Sequence, residues 1–353
     1  MALFAFGSNG SGQLGIGHEE DVNVPTSICI GNDTQELDLP AHIAAGGNHT
    51  LVLCSNGDVY ASGNNADGRC LVGAASATKH RLARFEKLFA ETAPYELFGS
   101  FKGCAATWEA SIFLTNGFKL LTCGTGEKGE LGLGSTCQTT DPRPVEIKEP
   151  SEDIIQVDAG MRHVVAVLSN GDAYGWGAGR KGQIGEPNQD CFIPRKITGI
   201  PFKVQRAVCG SESTVLVGPP ETGELLIIGS DKHSVRSNAP NKIPGWKQVV
   251  ASWGGVYVLS DAGELVGWGR NDHGQLPPPD LPRLDMIAAG SEHMLVKTED
   301  GKVLAWGWGE HGNCGVPVDD QGDVKGKWNE IPTNGNVISV AAGCATSWIC
   351  QRQ

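Results

Sequence analysis

Positive charge is scarce in this sequence. Its 353 residues carry 28 Lys and Arg against 40 Asp and Glu, a net charge of −12, and the pI is near 5.2. Sequence-independent affinity for nucleic acid comes mostly from Lys and Arg neutralising phosphates, so direct nucleic-acid binding is not expected. Long apolar runs are missing as well. No stretch approaches the ~20 residues of a membrane span, and no basic segment is followed by an N-terminal apolar run. A soluble, intracellular protein without membrane contact is the expectation. The cysteines number 11, an odd count without any Cys-x-x-Cys pair, which argues against a disulfide framework or a zinc site. Cys54, Cys104, Cys123, Cys209 and Cys350 fall inside apolar strand patterns and read as small buried hydrophobes. Neither metal nor cofactor is expected. No Ser-His-Asp order, His-Glu-x-x-His, phosphate loop or dinucleotide fingerprint is present, so the chain does not read as an enzyme.

Glycine, by contrast, is abundant, at 49 residues, and it is periodic. In the stretch from Leu284 to Gly315 apolar residues run through Met286-Ile287-Ala288-Ala289, resume in Met294-Leu295-Val296, turn at Asp300-Gly301 and run again through Val303-Leu304-Ala305-Trp306. That is three short antiparallel strands joined by tight turns, with a fourth, more variable strand expected to follow. Gly-x-x-His anchors the module at Gly46, Gly160 and Gly290, with weaker copies at Thr107, Gly210, Ser252 and Gly343. A second anchor, Trp-Gly or its relic, recurs as Phe6-Gly7, Ser62-Gly63, Cys123-Gly124, Trp176-Gly177, Ile228-Gly229, Trp268-Gly269 and Trp306-Gly307. Both series count seven, at spacings close to the ~40 to 50 residues of a propeller blade.

The two series are out of phase at the ends. The chain begins with the second half of a module, Leu3 to Gly17, and finishes with the first half of one, Ile338 to Cys350. Joining them closes a ring and removes the open sheet edge that a propeller must avoid. The expected fold is therefore all-β, a seven-bladed β-propeller forming one domain over residues 1–353, with residues 1–17 and 338–353 sharing one blade. One insertion stands apart: Thr78 to Ala90 spaces Leu82, Phe85, Leu88 and Phe89 at three- and four-residue steps, which predicts a short amphipathic helix beside the second blade.

Gly-x-x-His, then Asn-Gly-Asp, then Trp-Gly-x-Gly-x-x-Gly-Gln-Ile-Gly, complete from Gly160 to Gly185, resembles the repeat of the regulator-of-chromosome-condensation family of seven-bladed propellers. The resemblance covers nearly the whole chain. Within that family, the N-terminal run LFAFGSNGSGQLGIGHEEDVNVP together with AAGGNHTLVL is most similar to a fungal branch, that of the alpha-tubulin suppressor or killer-toxin-insensitivity protein. The resemblance implies a heterodimer with a small, generally acidic CSL-type zinc protein. It also implies a cytoplasmic and nuclear location, and support of both diphthamide formation on elongation factor two and tRNA wobble-uridine modification by the Elongator complex. The founding member of the family instead exchanges nucleotide on a small GTPase and holds nucleosomes, and guanine-nucleotide exchange is the alternative. The exchange residues do not map onto this sequence one by one, and it shows no basic N-terminal tail.

Strand alternation locates the binding face. The Gly-x-x-His turn and the loop after Trp-Gly must emerge at one end of the ring, and the Asn-Gly-Asp turns at the other. At the first end Trp108, Trp253 and Trp308 occupy slots that most other modules fill with small or polar residues. They are the candidate partner anchors. Trp176, Trp268 and Trp306 hold the regular strand position and read as packing between blades. The same loops carry Arg69, Lys128, Arg162, Arg180, Lys181, Lys232 and Arg270, which predicts a locally basic face suited to an acidic partner, with Arg162 and Arg270 as candidate contacts. His49, His163 and His293 are spread around the ring, cannot converge on one metal ion, and are expected to bond neighbouring backbone within their blades.

Overall fold

Residues 1–31, 37–71, 79–88, 99–148 and 152–352 are described by the structure, a computed structural model. Seven antiparallel sheets stand around a central axis. Blade 2 comprises Pro40–Ala45, His49–Cys54, Val59–Asn64 and Arg81–Lys87, and blade 3 comprises Phe101–Ala106, Ala110–Thr115, Leu120–Thr125 and Thr139–Val145. Blade 4 runs from Ile154–Ala159 through His163–Leu168 and Ala173–Gly177 to Cys191–Lys196. Blades 5 and 6 have three strands each, Arg206–Cys209, Ser213–Val217 and Leu225–Gly229, then Trp246–Ala251, Gly255–Ser260 and Leu265–Gly269. Blade 7 returns to four, Leu284–Ala289, His293–Thr298, Val303–Trp308 and Asp323–Ile331.

Blade 1 is built from both ends of the chain. Its order is Val22–Ser27, Ala2–Gly7, Thr346–Arg352, Asn336–Ala342, and the first and last strands of the sequence pair without a slip from Ala2 opposite Gln351 to Gly7 opposite Thr346. This is the closure that the out-of-phase anchors predict.

Local sequence explains the blade. The second strand is buried along its whole length in blades 2, 3 and 4, because it lies inside its own sheet and is covered on both faces by neighbouring blades. It therefore reads as a continuous apolar run and not as an alternation. The hairpin after it turns on Asn-Gly-Asp, where the Asn170 side-chain oxygen accepts from the Asp172 amide at 2.8 Å and Gly171 takes φ of 88°. At the end of the third strand the glycine of Trp-Gly is obligatory. Gly177 has φ of 96°, and a Cβ there would lie 2.5 Å from the Arg162 carbonyl oxygen.

Two expectations are corrected. Blades 5 and 6 have no fourth strand, although every residue between Arg206 and Leu284 is described. The helix expected over 78–90 is a strand over Arg81–Lys87, while residues 78, 89 and 90 lie outside the described residues. The misleading three-residue step has a physical cause. Both faces of a blade are covered by its neighbours, so residues an odd number of steps apart along this strand are both buried. Leu82 packs towards blade 3 among Leu53, Val59 and Phe113, and Phe85 packs on the other face among Leu14, Ile16 and Ile30 next to blade 1.

Candidate protein-binding face

The first strands of the blades surround a channel of about 450 Å³. At the end where the Gly-x-x-His loops emerge, these loops are bonded to one another. The Trp108 carbonyl accepts from Gly47 at 3.1 Å and its amide donates to Met161 at 2.8 Å; the Trp253 carbonyl accepts from Ser211 at 3.3 Å and its amide donates to Ser291 at 3.0 Å. The Ser211 hydroxyl adds a second bond to the Trp253 carbonyl, at 2.9 Å. Each tryptophan is thus fixed through its backbone by the blade before it and the blade after it.

Their side chains meet. Trp108 belongs to blade 3 and Trp253 to blade 6, three steps apart around the ring, yet the indole centroids lie 5.7 Å apart at an interplanar angle of 45°. The pair spans the mouth of the channel. Gly47 lies under the Trp108 ring, where a Cβ would come within 2.6 Å of the indole. Both indoles are half-buried, so each presents apolar surface already held in place.

Trp308 is at the same end but in a different setting. Its amide donates to the Glu292 carbonyl at 2.9 Å, which ties it to the first loop of blade 7. Its ring stacks on His273 at 5.2 Å and meets His311 at 6.4 Å. His273 Nδ1 lies 2.8 Å from Asp323 and His311 Nδ1 lies 2.9 Å from Asp21. Nothing in the repeat signals these two histidines, since they fill variable loop positions; only their place in the loops after Trp-Gly could have drawn attention to them.

The arginines differ from expectation in their surroundings. Arg270 grips Asp272 with two nitrogens, at 2.7 and 2.9 Å, and reaches Glu292 with a third. The Arg270 guanidinium in turn holds the Asp272 carboxyl well below the usual range. Arg69 is buried and pairs with Asp67 at 2.7 Å and Glu109 at 3.6 Å, and Arg180 pairs with Asp190 at 3.1 Å. Arg162 is half-buried beside Glu130. Three arginines of the face are thus paired internally around a tryptophan centre, while Lys128, Lys181 and Lys232 have no ion pair among the described residues.

The repeat histidines join blades instead of bonding backbone within them. Nε2 of His49 lies 2.9 Å from the Ser111 hydroxyl of the next blade; His163 meets Thr214, and His293 meets Ser347, at the same distance. Each hydroxyl donates onward to a carbonyl of the histidine's own blade, at Arg69 (2.8 Å), Gln183 (2.7 Å) and Asn313 (2.8 Å). It must therefore accept from the imidazole, which fixes the proton on Nε2. The regular tryptophans work at other seams, between blades 3 and 4 and between blades 6 and 7. Trp176 and Trp306 donate Nε1–H to Glu130 and Gln275 in the preceding blades, at 2.9 and 3.0 Å.

The fold, the shared blade and the repeat now stand together. A family model, the RCC1-like domain, matches residues 2–349. The chain belongs to the RCC1-like propeller family. An RCC1 repeat-containing protein of Schizosaccharomyces pombe is 31% identical and covers 98% of both chains. The secretion-regulating guanine nucleotide exchange factor of Mus musculus is 29% identical over 78% of this chain, which spans 61% of that protein. Among solved structures, human WBSCR16 superposes with a TM-score of 0.82 at 18% identity over the whole of both chains. Prp20p of Saccharomyces cerevisiae does so with 0.83 at 20% identity, over 99% of this chain and 90% of its own. At such identities the likeness is one of fold.

Proposed function

We propose that this RCC1-like propeller is a non-catalytic scaffold whose tryptophan face docks one small partner protein. The observation that carries the reading is the Trp108–Trp253 pair, two large aromatics of opposite blades held across the channel mouth by their own backbone bonds. Rigid, half-exposed aromatics at the centre of a face are the usual anchors of protein interfaces, because little side-chain entropy is lost when they are covered. The partner we assign is a small CSL-type zinc protein, held as a heterodimer, with the Elongator complex as a further contact. The role is then to support diphthamide synthesis on elongation factor two and Elongator-dependent modification of tRNA wobble uridine, in cytoplasm and nucleus. The likeness of the N-terminal run to the fungal branch supports this finer reading.

Isothermal titration with the purified zinc protein tests it. One-to-one binding is expected, and Trp108→Ala or Trp253→Ala should each weaken it by about 30-fold, equivalent to about 2 kcal/mol, with an unchanged melting temperature. With Arg69 and Arg270 paired internally, the exposed Lys181 and Lys232 are left to steer an acidic partner, so affinity should fall modestly between low and moderate salt. An absence of binding, or a melting temperature that falls in step with affinity, overturns the assignment. A second reading, exchange of guanine nucleotide on a small GTPase, is favoured by the names of the mouse and bovine relatives. Accelerated release of a fluorescent nucleotide from a GTPase would select it.

A further inference from the structure

We propose that the outer edge of blade 6 is a seat for an extended segment of a partner protein, apolar at its centre and basic at its ends, which joins the sheet as a fourth strand. In blades 2, 3, 4 and 7 the third strand is covered at its outer edge by a fourth. In blade 2 that strand sets Lys87 opposite Tyr60 and Glu86 opposite Ala61. Blade 5 fills the place differently: Val235 and Ile243, from the segment after its third strand, pack onto Ile227. In blade 6 the third strand, Leu265–Gly269, ends the sheet.

The consequence is visible at Val266. Its counterparts in the repeat, Tyr60, Leu121, Tyr174 and Leu304, are exposed by 5%, 0%, 4% and 2%, whereas Val266 is 57% exposed. The backbone agrees. Val266 and Trp268 sit opposite Val258 and Val256 of the second strand, and the Glu264 carbonyl and Arg270 amide also bond inward, to Ser260 and Gly254. By strand alternation the amides and carbonyls of Leu265 and Gly267 point outward. No hydrogen bond from elsewhere in the described chain reaches them. The segment that follows cannot supply one readily, since Pro277, Pro278 and Pro279 lack amide hydrogens. Pro277 lies over the face of Gly267, where a Cβ would meet its ring at 2.8 Å, and leaves the edge open.

Charge defines the occupant further. Of the two arginines near this edge, Arg283 is held by Glu264 at 2.8 Å and Arg270 by Asp272 at 2.7 Å. Asp261 and Asp280, exposed before and after the strand in sequence, have no ion-pair partner among the described residues. An apolar centre over Val266 with cationic residues towards both ends is the complementary pattern, and addition of a strand to an open edge is an established mode of peptide recognition.

The chain's own fourth strand of blade 2, Arg81–Lys87 with sequence RLARFEK, has this pattern and serves as the probe. Titrated as a synthetic peptide to about 1 mM onto the whole protein, it should shift the amide resonances of Leu265 and Gly267 and slow their hydrogen exchange by about tenfold. Val266→Lys should abolish both effects without changing the melting temperature. The peptide of Val22–Ser27, VNVPTS, which has no cation, should bind at least tenfold more weakly. The proposal is overturned if RLARFEK leaves Leu265–Gly269 unchanged or acts elsewhere. It is equally overturned if the same amides become protected with rising protein concentration in the absence of peptide, which would assign the edge to a second copy of this chain.

Discussion

Removing Ile338–Gln353 should unfold the whole protein cooperatively. The deletion takes away the strand that pairs with Ala2–Gly7 over six residue pairs and most of Asn336–Ala342 on its channel side. With them go Trp348, Ile349 and Cys350, all buried. Phe6, at the heart of the cluster shared with blade 7, and Leu3 and Ala5, in the cluster shared with blade 2, lose their cover. Each large apolar side chain returned to water costs about 1.5 to 3 kcal/mol. The four large ones, Leu3, Phe6, Trp348 and Ile349, together amount to about 6 to 12 kcal/mol, comparable to the roughly 5 to 15 kcal/mol by which a typical protein is stable. The deletion also removes Ser347, and with it the acceptor of the His293 imidazole. The expected result is loss of near-ultraviolet circular dichroism and of a sharp thermal transition. A truncated chain that remained monomeric, with both signals intact, would refute closure by the shared blade.

Acid should destabilise the protein through the three inter-blade histidines. Burial is the main reason that His49, His163 and His293 are pulled from the ordinary value of 6.5 to about 3, about 4 and about 3. A second proton would have to go on Nδ1, which has no hydrogen-bond partner in any of the three. The folded state therefore stays unprotonated at these sites while the unfolded chain takes up protons below pH 6.5. Stability from this source is complete above that pH and is lost as the pH falls towards the folded values. At pH 5.5 the loss is about 4 kcal/mol for the three together. Asp158, whose carboxyl is pushed up to about 6 by burial in the channel wall, works in the opposite sense and offsets about 1 kcal/mol of it. Denaturant titrations at pH 7.5 and 5.5 should show a midpoint clearly lower in acid, and the difference should shrink when all three histidines are replaced by Gln. Equal midpoints for the wild type would show that the imidazoles do not stay neutral when folded.

The architecture was legible because it is written seven times: each worn anchor is readable by comparison with the others, and the phase of the two series gives closure. What the repeat does not repeat was harder to read. The fourth strands vary in sequence and come after loops of variable length, so their absence from blades 5 and 6 left no mark in the anchors. Burial on both faces, with Leu82 on one side and Phe85 on the other, gave a strand the apolar spacing of a helix. The role of the repeat histidines did carry a signal, but in the wrong module to be noticed. The position after the anchor histidine holds Ser111, Thr214 and Ser347 in the blades that follow His49, His163 and His293, whereas blades 4, 6 and 7 hold Val164, Val256 and Met294 there. Of the five candidate site residues, the structure brings Trp108 and Trp253 together and sets Trp308 apart among histidines. Arg270 is bound to acids of its own chain, and Arg162 lies half-buried beside Glu130. Which indoles meet across a channel is a property of ring radius, which spacing along one blade does not encode.

The imidazole bonds also divide the ring mechanically. They fasten blade 2 to blade 3, blade 4 to blade 5 and blade 7 to blade 1, so that six blades form three dyads. Blade 6 is the odd one out, with Gly255 where a histidine would reach forward and Val256 where a hydroxyl would receive one, and its own sheet is short by a strand. The ring is therefore a collar clasped in two ways: imidazoles couple three pairs of blades, and blade 6, which none of them reaches, is held by Trp268 to Val235 at 2.7 Å, by Trp306 to Gln275 at 3.0 Å and by Arg270 to Glu292.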